Sequence, residues 1–321
     1  MCHLAEGGIE VSGPHEDATV HFFGATDIGK SRRSNQDHFL IADMQRVLKV
    51  CDSSVRSLAQ QSLVSSPPGE LLIIADGMGG HAHGEYASQA AVSFMTRYVA
   101  TLMPRFLNTD PDDDRELRTA LKEGPILVHR LFQKEGENDP SKSEMGTTLT
   151  TAYIVWPYLY VVHVGDTRCY LFRNGELRQL TKDHTIAQYL ADAGELPTAP
   201  SQSAHLQSML WNSVTGRVRP EPQICRESLE SADTVLLCSD GLTKHMSTSE
   251  IATILASSES VEFKTKRLIE ECNRRGGRDN ISVVVGVFFG PPDAELLCND
   301  PGQFNAIESL SDTDIEFTVS P

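Results

Sequence analysis

Four aspartates stand at the ends of short apolar runs that have the length of buried strands. Three runs lead directly into Asp76, Asp166 and Asp240, and a fourth begins just after Asp279. One aspartate at such a place can be a turn residue or a strand-end cap, but four at related positions favour a shared site. Carboxylates partly removed from water repel one another, so they need a compensating cation. Oxygen ligands without His or Cys suit magnesium or manganese better than zinc, and we predict a divalent-metal site.

The elements that must position these aspartates mix strands with unevenly placed helices, which favours an α+β fold over alternating βαβ units. A strand rich in Thr, Tyr, Ile and Val is predicted over 147–156. Asn174-Gly175 lies between two further strand-like runs, and this pair tolerates the positive φ of a type I′ hairpin turn. Stretches 51–69 and 197–222 are predicted loops.

Helices are fewer than strands in this interpretation. Apolar side chains at helical spacing predict them over three stretches, 85–104, 112–132 and 261–272. Pro104 is expected to close the first, and Gly124-Pro125 to break the second. A further helix is expected to open at the capping box formed by Ser247 and Glu250.

The composition excludes several classes of protein. The 321 residues carry 28 Lys and Arg against 44 Asp and Glu, a net charge of −16. That balance argues against broad nucleic-acid binding and against docking on an anionic membrane. No apolar run approaches the roughly 18–20 residues of a membrane span, and the first 29 residues lack the Lys or Arg of a secretory signal. The chain has seven cysteines, and no two of them are separated by the two-residue gap of a zinc knuckle or a redox motif. We therefore expect reduced thiols in a cytoplasmic protein.

Charge and composition divide the chain into three parts. Residues 1–18 are expected to be a loose N-terminal lead-in, and residues 19–290 one large domain. Residues 291–321 contain seven acidic residues and no Lys or Arg, which predicts a solvated, disordered tail. A docking or autoinhibitory segment is the alternative for this tail.

Seven motifs resemble, in order, those of the metal-dependent (type 2C) Ser/Thr protein phosphatases. They are DIGKSRRSNQD (27–37), ADGMGGH (75–81), MGTT (145–148), VGDTR (164–168), LTKDH (180–184), CSDG (238–241) and GRDNI (277–281). One such motif would be a weak signal, whereas seven in family order over roughly residues 20–290 are specific. The Met-Gly-Gly-His form resembles the bacterial branch of the family.

This resemblance implies a fold with two central antiparallel β-sheets sandwiched between helical layers, an α-β-β-α arrangement. It makes 19–290 a phosphatase catalytic domain with a dinuclear manganese or magnesium site at one end of the sandwich. Asp76 would bridge both ions, and the carbonyl of Gly77 would help to hold the second. Asp240 and Asp279 would ligate the first ion.

Two further aspartates complete the implied metal set. Asp37 would sit in or just behind the shell of the second ion, and Asp166 would serve a third, weaker ion found in bacterial relatives. Gln36 stands where many relatives have Glu. The missing charge would weaken binding of the second ion.

The resemblance also assigns groups that handle the phosphate. Arg32 matches the phosphate-binding arginine, whose planar fork can grip two phosphate oxygens, and Arg33 is a nearby rival. Eukaryotic relatives place a candidate general-acid His directly after the Asp-Gly pair, where this chain has Met78. His81 is the nearest substitute, and its alternative is a structural His in a Gly-rich turn.

The implied reaction is hydrolysis of phosphoserine and phosphothreonine in proteins by a metal-activated water, with no phosphoenzyme intermediate. Its partners would be phosphoproteins in signal transduction, opposite a Ser/Thr kinase, with no nucleic acid and no membrane. The alternative from another class is a catalytically silent member that keeps the fold as a signalling or binding module. Silent members usually lose metal carboxylates, and this chain keeps the set.

Two other motifs suggest different chemistry. Residues 24–31, GATDIGKS, satisfy the P-loop pattern, but a working P-loop opens an amphipathic helix. The stretch 32–38 that follows is wholly polar. His81-Ala82-His83 resembles a two-His zinc motif, but it follows a Gly-rich turn rather than lying on a strand. We favour neither interpretation.

Overall fold

The structure, a computed structural model, describes residues 19–49, 62–79, 81–106, 113–195 and 205–290. The predicted lead-in 1–18 and acidic tail 291–321 lie outside the described residues.

Twelve strands in the described residues form two sheets, in which neighbouring strands pair antiparallel. Their bounds are β1 Thr19–Asp27, β2 Asp37–Lys49, β3 Ser62–Met78, β4 Gly146–Thr147, β5 Leu149–Val155, β6 Tyr158–Val164, β7 Arg168–Arg173, β8 Glu176–Gln179, β9 Val214–Thr215, β10 Gln223–Ser228, β11 Thr234–Cys238 and β12 Ile281–Phe289. The first sheet has the order β1-β12-β11-β7-β8. The second has the order β10-β6-β5-β3-β4-β9, with β2 also paired to β3.

Besides a short helical segment at 205–207, the described residues contain six α-helices and one 3₁₀ turn. Their bounds are α1 His81–Phe106, α2 Arg115–Asn138, a 3₁₀ turn at Pro140–Lys142, α3 Ile186–Asp192, α4 Asp240–Thr243, α5 Thr248–Leu255 and α6 Val261–Arg274. None of these helices is long and apolar enough to cross a membrane.

The described residues form three apolar cores, and their arrangement confirms the predicted two-sheet sandwich. One core lies between the second sheet and helices α1 and α2, one lies between the two sheets, and one lies between the first sheet and helices α5 and α6. Strand β3 serves two of these cores. Its Leu71 and Ile73 point to the helices, whereas Leu72 and Ile74 point to the other sheet. Because both faces of such a strand are buried, its sequence is a continuous apolar run without alternation.

Several predicted local features are confirmed. Strands β7 and β8 form a hairpin in which Asn174 and Gly175 have φ of 52° and 84°, as a type I′ turn requires. Ser247 and Glu250 form both halves of the capping box at the start of α5. Helix α6 begins at Val261 as predicted and continues two residues further, to Arg274.

The two proline predictions are wrong. Helix α1 continues through Pro104 to Phe106, and α2 runs unbroken from Arg115 to Asn138 with Pro125 inside it. Pro125 costs α2 one backbone hydrogen bond, but this residue and Gly124 lie on the buried face of the helix. Gly124 lets Met95 of α1 come so close that an added Cβ would lie 2.7 Å from its sulfur. Packing between the two helices therefore offsets the local cost of proline.

The predicted loop 51–69 is also wrong over its second half. Residues 62–69 extend strand β3. Strand β2 pairs with β3 from Asp37 opposite Asp76 to Met44 opposite Gly69 and, after a register shift, from Arg46 opposite Ser65 to Lys49 opposite Ser62. The remaining residues of that prediction, 51–61, lie outside the described residues. The predicted strand 147–156 is divided at Thr148 into β4 and β5. Helix α3 was not predicted, because it buries only Ala187.

Candidate metal centre and phosphate site

Five aspartates that are far apart in sequence meet at one end of the two-sheet sandwich. Asp37 opens β2 directly opposite Asp76 near the end of β3. Asp166 lies in the turn after β6, Asp240 opens α4, and Asp279 precedes β12. Four of them, all except Asp37, line one cavity of about 480 Å³ together with Gly77, Met78, Gln36, Arg32 and Arg33. Asp37 is buried with only 3% exposure, and it contributes charge to the cluster from outside that lining.

Burial disfavours the charged form of four of these carboxylates, and the charges of neighbouring aspartates add to that effect. Burial raises the pKa of Asp37 to about 7 and the pKa of Asp166 to about 8. Burial also raises the pKa of Asp76 well above its ordinary value of 3.8, and the negative charge of Asp37 adds to that effect. The pKa of Asp240 is raised by burial as well, against the opposing charge of Lys244. The cluster therefore requires positive charge at neutral pH.

Two cations supply part of that charge. The guanidinium of Arg32 binds Asp279 through two contacts, Nε to Oδ1 at 2.7 Å and Nη2 to Oδ2 at 2.9 Å. Lys244 Nζ lies 2.9 Å from the same carboxylate and also contacts Asp240. Burial would raise the pKa of Asp279, but the hydrogen bonds and charges of Arg32 and Lys244 hold it below its ordinary value.

The carboxylate oxygens retain capacity for a metal ion. Both oxygens of Asp37 and Oδ1 of Asp240 are buried without a hydrogen bond of normal geometry in the described part of the chain. The Ser239 and Ser282 hydroxyls near Asp37 oppose the rise in its pKa. Buried anionic oxygens without partners are costly, and hard divalent cations are their natural ligands. This donor set fits magnesium or manganese.

Basic side chains, rather than one another, are the partners of two of these carboxylates. Across the described ranges, no three His, Cys, Asp or Glu side chains are grouped closely enough to hold a metal as they stand. Arg32 and Lys244 engage Asp279 and Asp240 instead. Binding a cation therefore requires these carboxylates to exchange their basic partners for the ion.

That exchange makes Lys244 a competitor of the metal. We expect Lys244→Met to strengthen Mn²⁺ binding about tenfold, or about 1.4 kcal/mol, because it frees Asp240, leaves Asp279 with Arg32 as its remaining basic partner and removes a positive charge from the pocket. The same variant should lower the metal-free stability by about 1–2 kcal/mol, since the carboxylates lose a compensating charge. Calorimetric Mn²⁺ titration and denaturant unfolding measure the two effects. Weaker Mn²⁺ binding by Lys244→Met would show that Lys244 supports the metal site.

The loop that carries Arg32 is anchored by a residue whose role was not predicted. The side-chain amide of Asn280 donates to the carbonyls of Ile28 and Ser34, at 3.0 Å each, and its oxygen accepts from Gln36 N–H at 2.9 Å. Asn280 directly follows Asp279, so one short segment supplies a carboxylate and fixes the arginine loop.

Lys244 was also not predicted as part of the site. Its position four residues after Asp240 in a helical segment could have revealed the ion pair between the two.

Close packing between chain segments requires the glycines after Asp76 and Asp240. In the structure, an added Cβ on Gly77 would lie 2.0 Å from the carbonyl oxygen of Gly84, and one on Gly241 would lie 1.9 Å from that of Asn280. A Cβ at either position would force the facing backbone carbonyl to move, which is energetically costly. Close packing between segments therefore explains both glycines.

We expect Gly241→Ala to destabilise the protein by about 3 kcal/mol or more, because the backbone of Asn280 must move. Gly175→Ala is the matched control: its φ is 84°, but no atom lies within 4 Å of an added Cβ. Conformational strain alone should cost it about 1–2 kcal/mol. Denaturant unfolding of both variants measures the difference, and equal losses would contradict the steric account.

The structure bears differently on the predicted phosphate-binding arginines and on the predicted general acid. Arg32 and Arg33 both line the cavity, so the structure keeps both as candidates for phosphate. His81 is the first residue of α1, but its side chain lies outside the described part of the structure and its role stays a prediction. Residues 24–31 end β1 and continue as a turn without a following helix, which agrees with the rejection of a P-loop.

The fold is a two-sheet sandwich, and the acidic cavity at one end of it is suited to divalent cations. The chain belongs to the protein phosphatase 2C family, whose family model matches residues 58–280.

Relatives of known name agree with this assignment. Serine/threonine protein phosphatase PstP of Mycobacterium tuberculosis is 35% identical over 83% of this chain, and the match covers 48% of PstP, so the chain spans about half of that protein's length. Protein phosphatase PhpP of Streptococcus pneumoniae is 30% identical over 84% of this chain and 98% of PhpP. The crystal structure of the PstP catalytic domain in complex with two manganese ions superposes with a TM-score of 0.64, at 32% identity, over 85% of this chain and 99% of that one.

Proposed function

We propose that this protein hydrolyses phosphoserine and phosphothreonine in phosphoproteins, with divalent metal ions and without a phosphoenzyme intermediate. One observation carries the proposal: Asp76, Asp166, Asp240 and Asp279 converge with Arg32 on one cavity. Anionic oxygens there suit a metal, and the guanidinium beside them suits a phosphate. Bound divalent cations supply the Lewis acidity that makes a water molecule nucleophilic at neutral pH.

The roles proposed for the metal-binding residues are those that the family resemblance implies, and their places around the cavity support them. Asp76 is proposed to bridge two ions, with the Gly77 carbonyl helping to hold the second. Asp240 and Asp279 would hold the first ion. We propose manganese or magnesium as the ions, since oxygen ligands do not separate the two.

Two aspartates act at the margins of this set. Asp37 is buried opposite Asp76 in the β2–β3 ladder, which suits a supporting role behind the second ion. Asp166 faces the cavity from the β6–β7 turn, where a third, weaker ion would bind.

Arg32 is proposed to grip the phosphate. Two of its N–H donors engage Asp279, and a cation that neutralises Asp279 would release them. Metal binding would thereby prepare the guanidinium for two phosphate oxygens. His81, at the start of α1, is proposed to donate a proton to the leaving serine or threonine oxygen.

Substrate recognition is proposed to involve the segment between His184 and Pro222. Ser208, Leu210 and Ser213 of this segment line the cavity, and the neighbouring side chain of Trp211 is 40% exposed. The net charge of −16 favours basic phosphopeptides. We further propose that residues 19–290 form the catalytic domain of a cytoplasmic protein that acts opposite a Ser/Thr kinase.

The function is tested by dephosphorylation of a phosphoserine peptide and of an aryl phosphate, with Mn²⁺ or Mg²⁺ and with excess chelator. We expect turnover with metal, loss of turnover with chelator, and recovery when metal is restored. Asp240→Ala prepared in parallel controls for contaminating phosphatases and should be inactive. A folded wild-type chain that binds metal but releases no phosphate from either substrate would support the silent signalling module instead.

A further inference from the structure

His184 lies at the junction of three segments next to the proposed metal site. Its backbone N–H donates to the carbonyl of Gly165 at 2.7 Å, and its backbone carbonyl accepts from Trp211 N–H at 3.0 Å. Its side chain is 1% exposed. The imidazole lies between the rings of His163 and Trp211, with centroid distances of 4.7 and 5.0 Å.

One nitrogen of this imidazole joins two of the segments. His184 Nδ1 accepts from the backbone N–H of Gly165 at 3.0 Å and from the side-chain amide of Asn212 at 2.9 Å. The orientation of the Asn212 amide is fixed independently, because its nitrogen donates to the Glu221 carbonyl and its oxygen accepts from Glu221 N–H. Since both partners of Nδ1 are donors, Nδ1 must carry the lone pair.

The turn held by this bond leads directly to Asp166. Gly165 has a φ of 111°, and an added Cβ would lie 2.6 Å from the Thr148 side chain. Thr148 in turn exchanges two hydrogen bonds with the backbone of Asp76, each of 2.9 Å. The position of the Gly165 peptide therefore affects one carboxylate through the chain and a second through packing.

Asn212 belongs to a second segment that lines the cavity. Leu210 and Ser213, its near neighbours, are cavity-lining residues. A displacement of this segment would pull on Asn212 and, through His184, on the Asp166 turn.

We propose that His184 is a positioning residue: its acceptor nitrogen clamps the Asp166 turn to the segment containing Asn212, and it thereby sets the affinity of the Asp166 side of the cavity for a divalent cation. This inference rests on the proposed function. It makes metal binding sensitive to whatever contacts residues 205–222, the peptide substrate included.

Two substitutions distinguish the effect of the acceptor nitrogen from the effect of the space that the imidazole ring fills. His184→Leu keeps an apolar side chain of similar size and removes the acceptor, whereas His184→Asn places an amide oxygen near the position of Nδ1. The two backbone hydrogen bonds of residue 184 remain available in both. We expect His184→Leu to weaken the weakest class of Mn²⁺ sites about tenfold, the lower end of the range for residues that orient metal ligands, and His184→Asn to restore most of the affinity.

The experiment combines Mn²⁺ titration calorimetry on the full chain with amide hydrogen exchange at Gly165. Exchange at Gly165 should accelerate in His184→Leu and stay slow in His184→Asn. In the Asp166→Asn background, His184→Leu should cause no further loss of Mn²⁺ affinity, since both substitutions act on the same ligand. If His184→Leu fails to fold, Asn212→Ala removes one of the two donors and should shift Mn²⁺ affinity about threefold in the same direction.

The outcomes distinguish this inference from the proposed function. Equal Mn²⁺ affinities in wild type and His184→Leu, or losses that add in the double variant, would overturn the positioning role alone. A wild-type chain that binds no Mn²⁺ would overturn both proposals.

Discussion

Asp76→Asn should lower turnover of an aryl phosphate at least about a thousandfold at saturating Mn²⁺, the largest effect expected of any single substitution in this protein. Asp76 is the carboxylate at the centre of the cluster, and the charges of the other four aspartates all act on it. An amide of the same shape keeps the backbone hydrogen bonds to Thr148 but removes the anionic oxygen that a bridging ligand needs.

The same substitution should raise the stability of the metal-free protein. The pKa of Asp76 is well above its ordinary value of 3.8 in the folded state. Such a carboxylate favours folding only while it is protonated, and it loses that contribution as the pH rises through the folded pKa. The stability gain of Asp76→Asn over wild type should therefore be small near pH 4 and grow toward neutral pH.

Activity assays and metal-free unfolding at several pH values measure these two effects together. Loss of activity with a gain in metal-free stability would show that Asp76 serves the site at the expense of the fold. Near wild-type turnover by Asp76→Asn would overturn the role of this carboxylate.

Arg32→Ala should raise the KM for a phosphopeptide about a hundredfold, with a smaller effect on kcat. Removing an arginine that grips two phosphate oxygens eliminates two charge-assisted hydrogen bonds, and about 1.5–3 kcal/mol is typical of one such bond. Half of the Arg32 side chain is exposed in the cavity mouth, which moderates the effect.

Arg33→Ala is the matched control, because this arginine lines the same cavity but, in the described part of the chain, forms no ion pair with an aspartate of the cluster. Steady-state kinetics on one phosphopeptide should separate the two variants. A large rise in KM for Arg33→Ala with none for Arg32→Ala would transfer the phosphate role to Arg33.

The positions of the aspartates could be predicted because their flanking strands are unusual. Strands buried on both faces appear as short apolar runs. An aspartate directly after such a run is expected at the end of the strand, where the chain leaves the core. Asp76 and Asp240 stand out in the amino-acid sequence for this reason. That the runs belong to two sheets packed face to face came from family resemblance, since no local pattern fixes which strands pair.

Other features depend on partners that are remote in sequence. Pro125 is tolerated inside α2 because α1 packs against that helix, and the pattern around proline alone predicts a break. The contacts of Arg32 with Asp279 span 247 positions. The glycines at 77 and 241 are conspicuous in the sequence, but their physical reason lies in the carbonyl groups that face them in the fold.

The central claim is that these carboxylates gather to hold paired divalent cations. It is tested most directly by diffraction from crystals grown with Mn²⁺, using the anomalous signal of manganese. We predict manganese between Asp76, Asp240 and Asp279, with Lys244 displaced from the two carboxylates that it contacts here. Well-ordered crystals of an active, Mn²⁺-saturated protein with manganese located elsewhere, and none in this cavity, would contradict the claim.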